Sequence, residues 1–97
     1  MHSPSLPSPA SSPVPELEAQ VLARLLQLAE ESLTLARPPR LEDELFGDLA
    51  LDSIQLVVIA VGLENHFRVR LDEADAGSLR TVHDLVRLVA RRVEETR

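Results

Sequence analysis

Cysteine, tryptophan, tyrosine and lysine are all absent from this chain of 97 residues. Without cysteine there is no disulfide framework, no thiolate metal site and no thiol nucleophile. Two phenylalanines are the only aromatic residues, so leucine and valine must supply most of the core. No apolar run approaches the roughly 18 residues of a membrane span. The first residues also lack a basic stretch followed by an apolar one, so a signal peptide is not expected either. These absences make a cytoplasmic protein without membrane contact the expectation. Arginine supplies all ten positive charges against sixteen carboxylates. The resulting net charge of −6 argues against nucleic-acid binding, which needs basic clusters for phosphate. It suits docking onto basic patches of partner proteins.

The length allows one domain, and 44% apolar residues is a globular proportion. Residues 1–15 hold five prolines and five serines. Proline fixes φ and lacks an N–H, so this segment cannot hold a regular helix or a ladder strand. It reads as a disordered tail or linker remnant, leaving residues 16–97 as the domain.

Pro15 and Glu16 suit the first positions of a helix, and Glu16 and Glu18 favour its N-terminal dipole. Leu17, Val21, Leu22, Leu25, Leu26, Leu28, Ala29 and Leu33 share half of the helical wheel, with Gln20, Arg24, Gln27, Glu30 and Glu31 opposite. Pro38-Pro39 ends the pattern. The segment 36–52 is long for a loop in a compact domain. Leu41, Leu45, Phe46, Leu49 and Leu51 predict that its own side chains tie it down, and Gly47 permits a turn.

A second helix is predicted from Ser53 to His66 or Phe67. Asp52-Ser53 is a helix start, since a serine oxygen there can accept from an unpaired N–H of the first turn. Leu56, Ile59, Ala60, Leu63 and Phe67 share one arc, a core stripe. Ile54, Val57, Val58 and Val61 fall on the far side. A helix apolar on both sides is either fully buried or presents one face to something outside the fold. Full burial is hard to arrange in so small a domain, and an exposed contact face beside Ser53 is the favoured reading. The alternative is that these residues are core against a third helix. Gly62 lowers helix propensity by about 1 kcal/mol and marks a close approach by a neighbour.

Val69 and Leu71 carry the apolar pattern into a second loop, and residues 72–76 form a short acidic helix stopped at Gly77. The last helix starts with a [ST]-x-x-[DE] box at Thr81-Val82-His83-Asp84. Val82, Leu85, Val86, Val89 and Val93 lie inward, Leu88 and Ala90 at the margins, and His83, Arg87 and Arg91 outward. No segment alternates with period 2. The fold class is therefore all-α: a small four-helix bundle of three amphipathic helices and one short helix III.

Asp48-Leu49-Ala50-Leu51-Asp52-Ser53-Ile54 resembles the attachment motif of acyl carrier proteins, Asp-Leu-Gly-x-Asp-Ser-Leu. Leu63-Glu64 and Phe67 resemble the Leu-Glu-x-x-Phe ending of that family's helix II, and Leu79-Arg80-Thr81-Val82 the opening of its last helix. The resemblance is colinear over about residues 45–89. It implies that Ser53 carries 4'-phosphopantetheine, whose thiol holds acyl groups as thioesters for delivery to other enzymes. It also implies that Asp52 contacts the phosphopantetheinyl transferase, that the chain itself catalyses nothing, and that it is a monomer. Partners would be that transferase together with acyl-loading, condensing or acyl-transferring enzymes.

The sequence departs from the family on the face beside Ser53. Val58 stands where Glu is usual, Gln55 is uncharged, Ala50 replaces the motif glycine, and Arg68 and Arg70 follow the helix. Hydrophobic docking through Ile54, Val57, Val58 and Val61 in a specialised fatty-acid-like or polyketide-like pathway is therefore expected. An aminoacyl or peptidyl carrier of a nonribosomal peptide pathway is the alternative, since Asp-Ser-Ile occurs there too; an unmodified helical interaction module is a further one. His2, His66 and His83 lack metal-ligand spacing, so no metal is expected, and no G-x-S-x-G elbow supports a hydrolase.

Overall fold

The computed structural model describes residues 16–33, 35 and 37–96; the segment 1–15, expected as a disordered tail, lies outside the described residues. Four helical segments follow in order: α1 (Glu16–Ser32), α2 (Ser53–Phe67), α3 (Glu73–Gly77) and α4 (Val82–Glu95). Among the described residues the only β pairing is one isolated antiparallel bridge between Glu44 and Thr81. No helix among them is long and apolar enough to cross a membrane.

The long helices α1, α2 and α4 pack against one another in all three pairings. The short helix III expected beside them is α3, of only five residues, so the packed body is made by three helices. A helix of that length rises about 7.5 Å and offers no stripe to bury. It lies beside the trio, where Asp75 pairs with Arg92 of α4.

The core forms where the three stripes meet. Val21, Leu25, Leu28 and Ala29 come from α1, Leu56, Ile59 and Leu63 from α2, and Val82, Leu85, Val86 and Val89 from α4. Each large side chain so buried contributes about 1.5–3 kcal/mol relative to exposure. Leu88 and Ala90, expected at the margin of α4, are buried too, whereas Val93 is only partly so. The middle of α4 packs against both α1 and α2. Gly62 lets the Leu28 side chain of α1 come close to α2: a Cβ there would lie 2.7 and 2.8 Å from the Leu28 methyl groups.

The loop between α1 and α2 is fastened to the start of α4. Val82 N–H donates to the Asp43 carbonyl at 2.9 Å, His83 N–H to the Leu41 carbonyl at 3.0 Å, and Leu45 N–H to the Arg80 carbonyl at 2.8 Å. The first two of these donors are groups that a helix N-terminus otherwise leaves unpaired. The Asp43 side chain is buried and accepts from Arg37 Nη1 and Nη2 at 2.7 and 2.8 Å and from Arg40 N–H at 2.7 Å. The Arg37 hydrogen bond, helped by Arg40 and opposed by burial, holds its pKa down at about 2. Leu45, Leu49 and Leu51 are buried as expected, but Phe46 is 51% exposed.

Candidate functional site

Residues 45–48 form a turn and residues 49–52 lead from it into α2, each with a distinct local role. Asp48 accepts from Glu44 N–H at 2.9 Å, closing the turn. Leu49 and Leu51 are buried on either side of Ala50. Ala50 itself is left-handed, at φ 54°. No glycine among the described residues has positive φ. The strained position of this loop is thus Ala50, and Gly47, expected to serve the turn, does so without left-handed geometry. A residue with a Cβ pays about 1–2 kcal/mol for that conformation, which accounts physically for a glycine at this place in the motif Ala50 departs from.

Asp52 caps α2. Its Oδ1 accepts from Gln55 N–H at 2.7 Å, while Gln55 Oε1 accepts from Asp52 N–H at 2.9 Å. This reciprocal box corrects the expectation that the Ser53 oxygen serves as the cap. Ser53 is instead the first helical residue, exposed, and its hydroxyl has no hydrogen-bond partner among the described residues. The N–H groups of Ser53 and Ile54 have no acceptor among them either, since the pairing begins with Gln55 N–H to Asp52 Oδ1 and Leu56 N–H to the Asp52 carbonyl. Two donors at a helix N-terminus, unpaired among the described residues and beside the exposed Ser53 hydroxyl, make a place where a phosphodiester fits. The second carboxylate oxygen of Asp52 is also uncommitted among the described residues.

From Ser53 the outer face of α2 runs through Ile54, Val57, Val58 and Val61, which are 75, 57, 42 and 43% exposed. The alternative of packing against α3 is not what their surroundings show. Val57 and Val61 instead border a groove of about 210 Å³ with Leu56, Ala60, Leu71, Leu79 and Leu88. Glu64 shapes the end of that groove, because its carboxylate accepts from Leu71 N–H at 2.6 Å and folds the following loop back. Arg68 ends α2 in the left-handed conformation at φ 59°.

Two of the three histidines are described, and they stand apart from Ser53. His83 Nε2 lies 3.3 Å from Glu18 Oε1, joining α4 to α1. His66 packs its ring edge-on to Phe67. Among the described residues no group of three His, Asp or Glu side chains converges as a metal site. The site therefore offers a modifiable hydroxyl, an anion-tolerant helix start and an apolar face.

The chain matches the family model described as the phosphopantetheine attachment site over residues 19–89. It is 34% identical over 74 residues to an acyl carrier protein of Kineococcus radiotolerans, covering 75% of this chain and 91% of that protein. A meromycolate extension acyl carrier protein of Mycobacterium tuberculosis is 31% identical over 84 residues, or 84% of this chain and 72% of that one. The crystal structure of an acyl carrier protein from Thermotoga maritima shares the fold, with a TM-score of 0.73 at 24% identity, covering 84% of this chain and 96% of that one.

Proposed function

The chain belongs to the acyl carrier family that bears a phosphopantetheine attachment site, and from that premise we propose that the arm is attached at Ser53. Like its family, the protein is a non-catalytic carrier with covalently attached 4'-phosphopantetheine. When bound, the arm supplies a terminal thiol for acyl attachment. The chain has no cysteine, so that thiol is the one thiol of the modified protein.

The observation that carries the assignment is the division of labour between Asp52 and Ser53. Asp52 takes the cap, and the Ser53 hydroxyl stays exposed and unbonded among the described residues. That hydroxyl is the nucleophile toward the phosphate of coenzyme A. Its oxygen forms the new bond to phosphorus, the phosphoanhydride bond breaks, the adenosine bisphosphate leaves, and the serine proton passes to the transferase or solvent. The free N–H groups of Ser53 and Ile54 favour the resulting anion. Asp52 keeps one carboxylate oxygen for contact with the transferase.

Residues 16–97 make up the carrier domain in this reading. The cargo is an acyl group of a specialised fatty-acid-like pathway, a choice supported by relatives named for meromycolate extension and by an outer α2 face without carboxylates. Ile54, Val57, Val58 and Val61 form the contact surface for condensing and acyl-transferring enzymes. Intact mass after incubation with coenzyme A and a broad-specificity phosphopantetheinyl transferase tests the assignment. Wild type is expected to gain one arm and one reactive thiol, and Ser53→Ala neither. A folded wild type that gains no mass with several transferases would leave an unmodified interaction module as the reading.

A further inference from the structure

Gln55 reaches back past Ser53 and fastens Asp52 in two places. Its backbone N–H donates to Asp52 Oδ1 at 2.7 Å, and its side-chain Oε1 accepts from Asp52 N–H at 2.9 Å. The first bond ties the carboxylate to the helix. The second holds the peptide plane that joins Leu51 to Asp52. Leu51 is itself buried, and its N–H donates to the Leu45 carbonyl at 3.0 Å. Asp52 is thus an extended link, at φ −99° and ψ 177°, between an anchored loop and an anchored helix. The side chain that completes this hold is uncharged. Glutamate also suits this place in a capping box, but it would set a second carboxylate beside a serine that receives a phosphate, and like charges repel.

Resting on the carrier reading, we propose that Gln55 is a positioning residue for arm transfer. It acts through Asp52: it fixes the register of that residue against Ser53 and leaves Oδ2 for the transferase. Its role requires no contact of its own with the arm or the enzyme. Loss of the return bond frees the peptide plane before Asp52, and small displacements of a positioned group cost much of a rate.

Arm transfer followed by intact mass tests this, with the carrier varied against a broad-specificity phosphopantetheinyl transferase at saturating coenzyme A. Gln55→Ala is expected to lower kcat/KM for the carrier about tenfold. Gln55→Glu keeps the acceptor and should recover to within about twofold of wild type at high salt, where its added charge is screened. Asp84→Ala removes the equivalent side chain from the box on α4. It should lower the urea midpoint as Gln55→Ala does, yet leave transfer unchanged. In an Asp52→Ala background, adding Gln55→Ala should change the rate by less than about twofold, because the two residues act as one unit. Wild-type transfer by Gln55→Ala, or no recovery in Gln55→Glu, would overturn the proposal. Equal slowing by Asp84→Ala would do so too, since transfer would then follow stability. So would effects that multiply in the double variant, since Gln55 would then act without Asp52. A folded wild type that gains no arm would instead overturn the carrier reading on which the proposal rests.

Discussion

Helices α2 and α4 begin alike and end differently. Each opens with a reciprocal capping box, Asp52 with Gln55 and Thr81 with Asp84, and each buries leucines on its inner side. The first N–H groups of α4 are then taken up by the carbonyls of Asp43 and Leu41. Those of α2, on Ser53 and Ile54, find no acceptor among the described residues. The outer faces diverge in the same sense: α4 shows Arg87 and Arg91 to solvent, whereas α2 shows Ile54, Val57, Val58 and Val61. One helix is completed by its own fold. The other, among the described residues, is left open on its outer face and at its start.

The sharpest way to break the comparison is to cut the inner faces, where the helices should behave alike. Leu63→Ala and Leu85→Ala are each expected to lower unfolding free energy by about 2–5 kcal/mol, measured by urea denaturation. On the outer face of α2, Val58→Ser should stay within about 0.5 kcal/mol of wild type. An outer substitution as costly as an inner one would make the valines core.

The next effect concerns the loop fastened to α4. Asp43 has a pKa lowered to about 2 by Arg37, below the roughly 3.9 of an unfolded chain. Its ionised form therefore stabilises the fold fully above about pH 4, and that contribution is lost as pH falls through about 2. The Tm of Asp43→Asn should lie below that of wild type at neutral pH, and the gap should close toward pH 2. A gap that persists unchanged at acid pH would remove the Arg37 pair as its cause.

Smaller again are the caps. Asp52→Ala and Thr81→Ala should each cost about 1 kcal/mol. Only Asp52→Ala should also slow arm transfer to Ser53, seen in a time course of intact mass. The smallest effect, and of opposite sign, is expected at the left-handed turn. Ala50→Gly should raise stability by about 0.5–1 kcal/mol, the relief of strain being partly offset by greater freedom of the unfolded chain.

The two capped helices also mark what the sequence could and could not reveal. The spans of α1 and α4 were legible because their apolar period is strong over 14 or more residues, and the outer valines of α2 stood out because no solvated face needs them. Asp43 was not legible. It lies in the run Glu42-Asp43-Glu44, which looks solvated, and its partner Arg37 is six residues away across a turn with no periodicity to signal it. Phe46 misled because loop burial follows no period, and it is exposed between the buried Leu45 and Leu49. At 52–53 both residue types can cap, so only backbone geometry decides that Asp52 does. The same holds for Ala50 and Gly47, since a left-handed φ at alanine runs against local preference.

The fastening of the loop to α4 also bears on the order of events during synthesis. Residues 41–45 of the loop that leads to Ser53 are held by the backbone of residues 80–83, roughly 35–40 positions further along the chain. Closing that span has to wait for distant residues to arrive. On a ribosome the serine emerges well before the groups that fasten this loop, so the approach to α2 takes its final form only after α4 has left the exit tunnel.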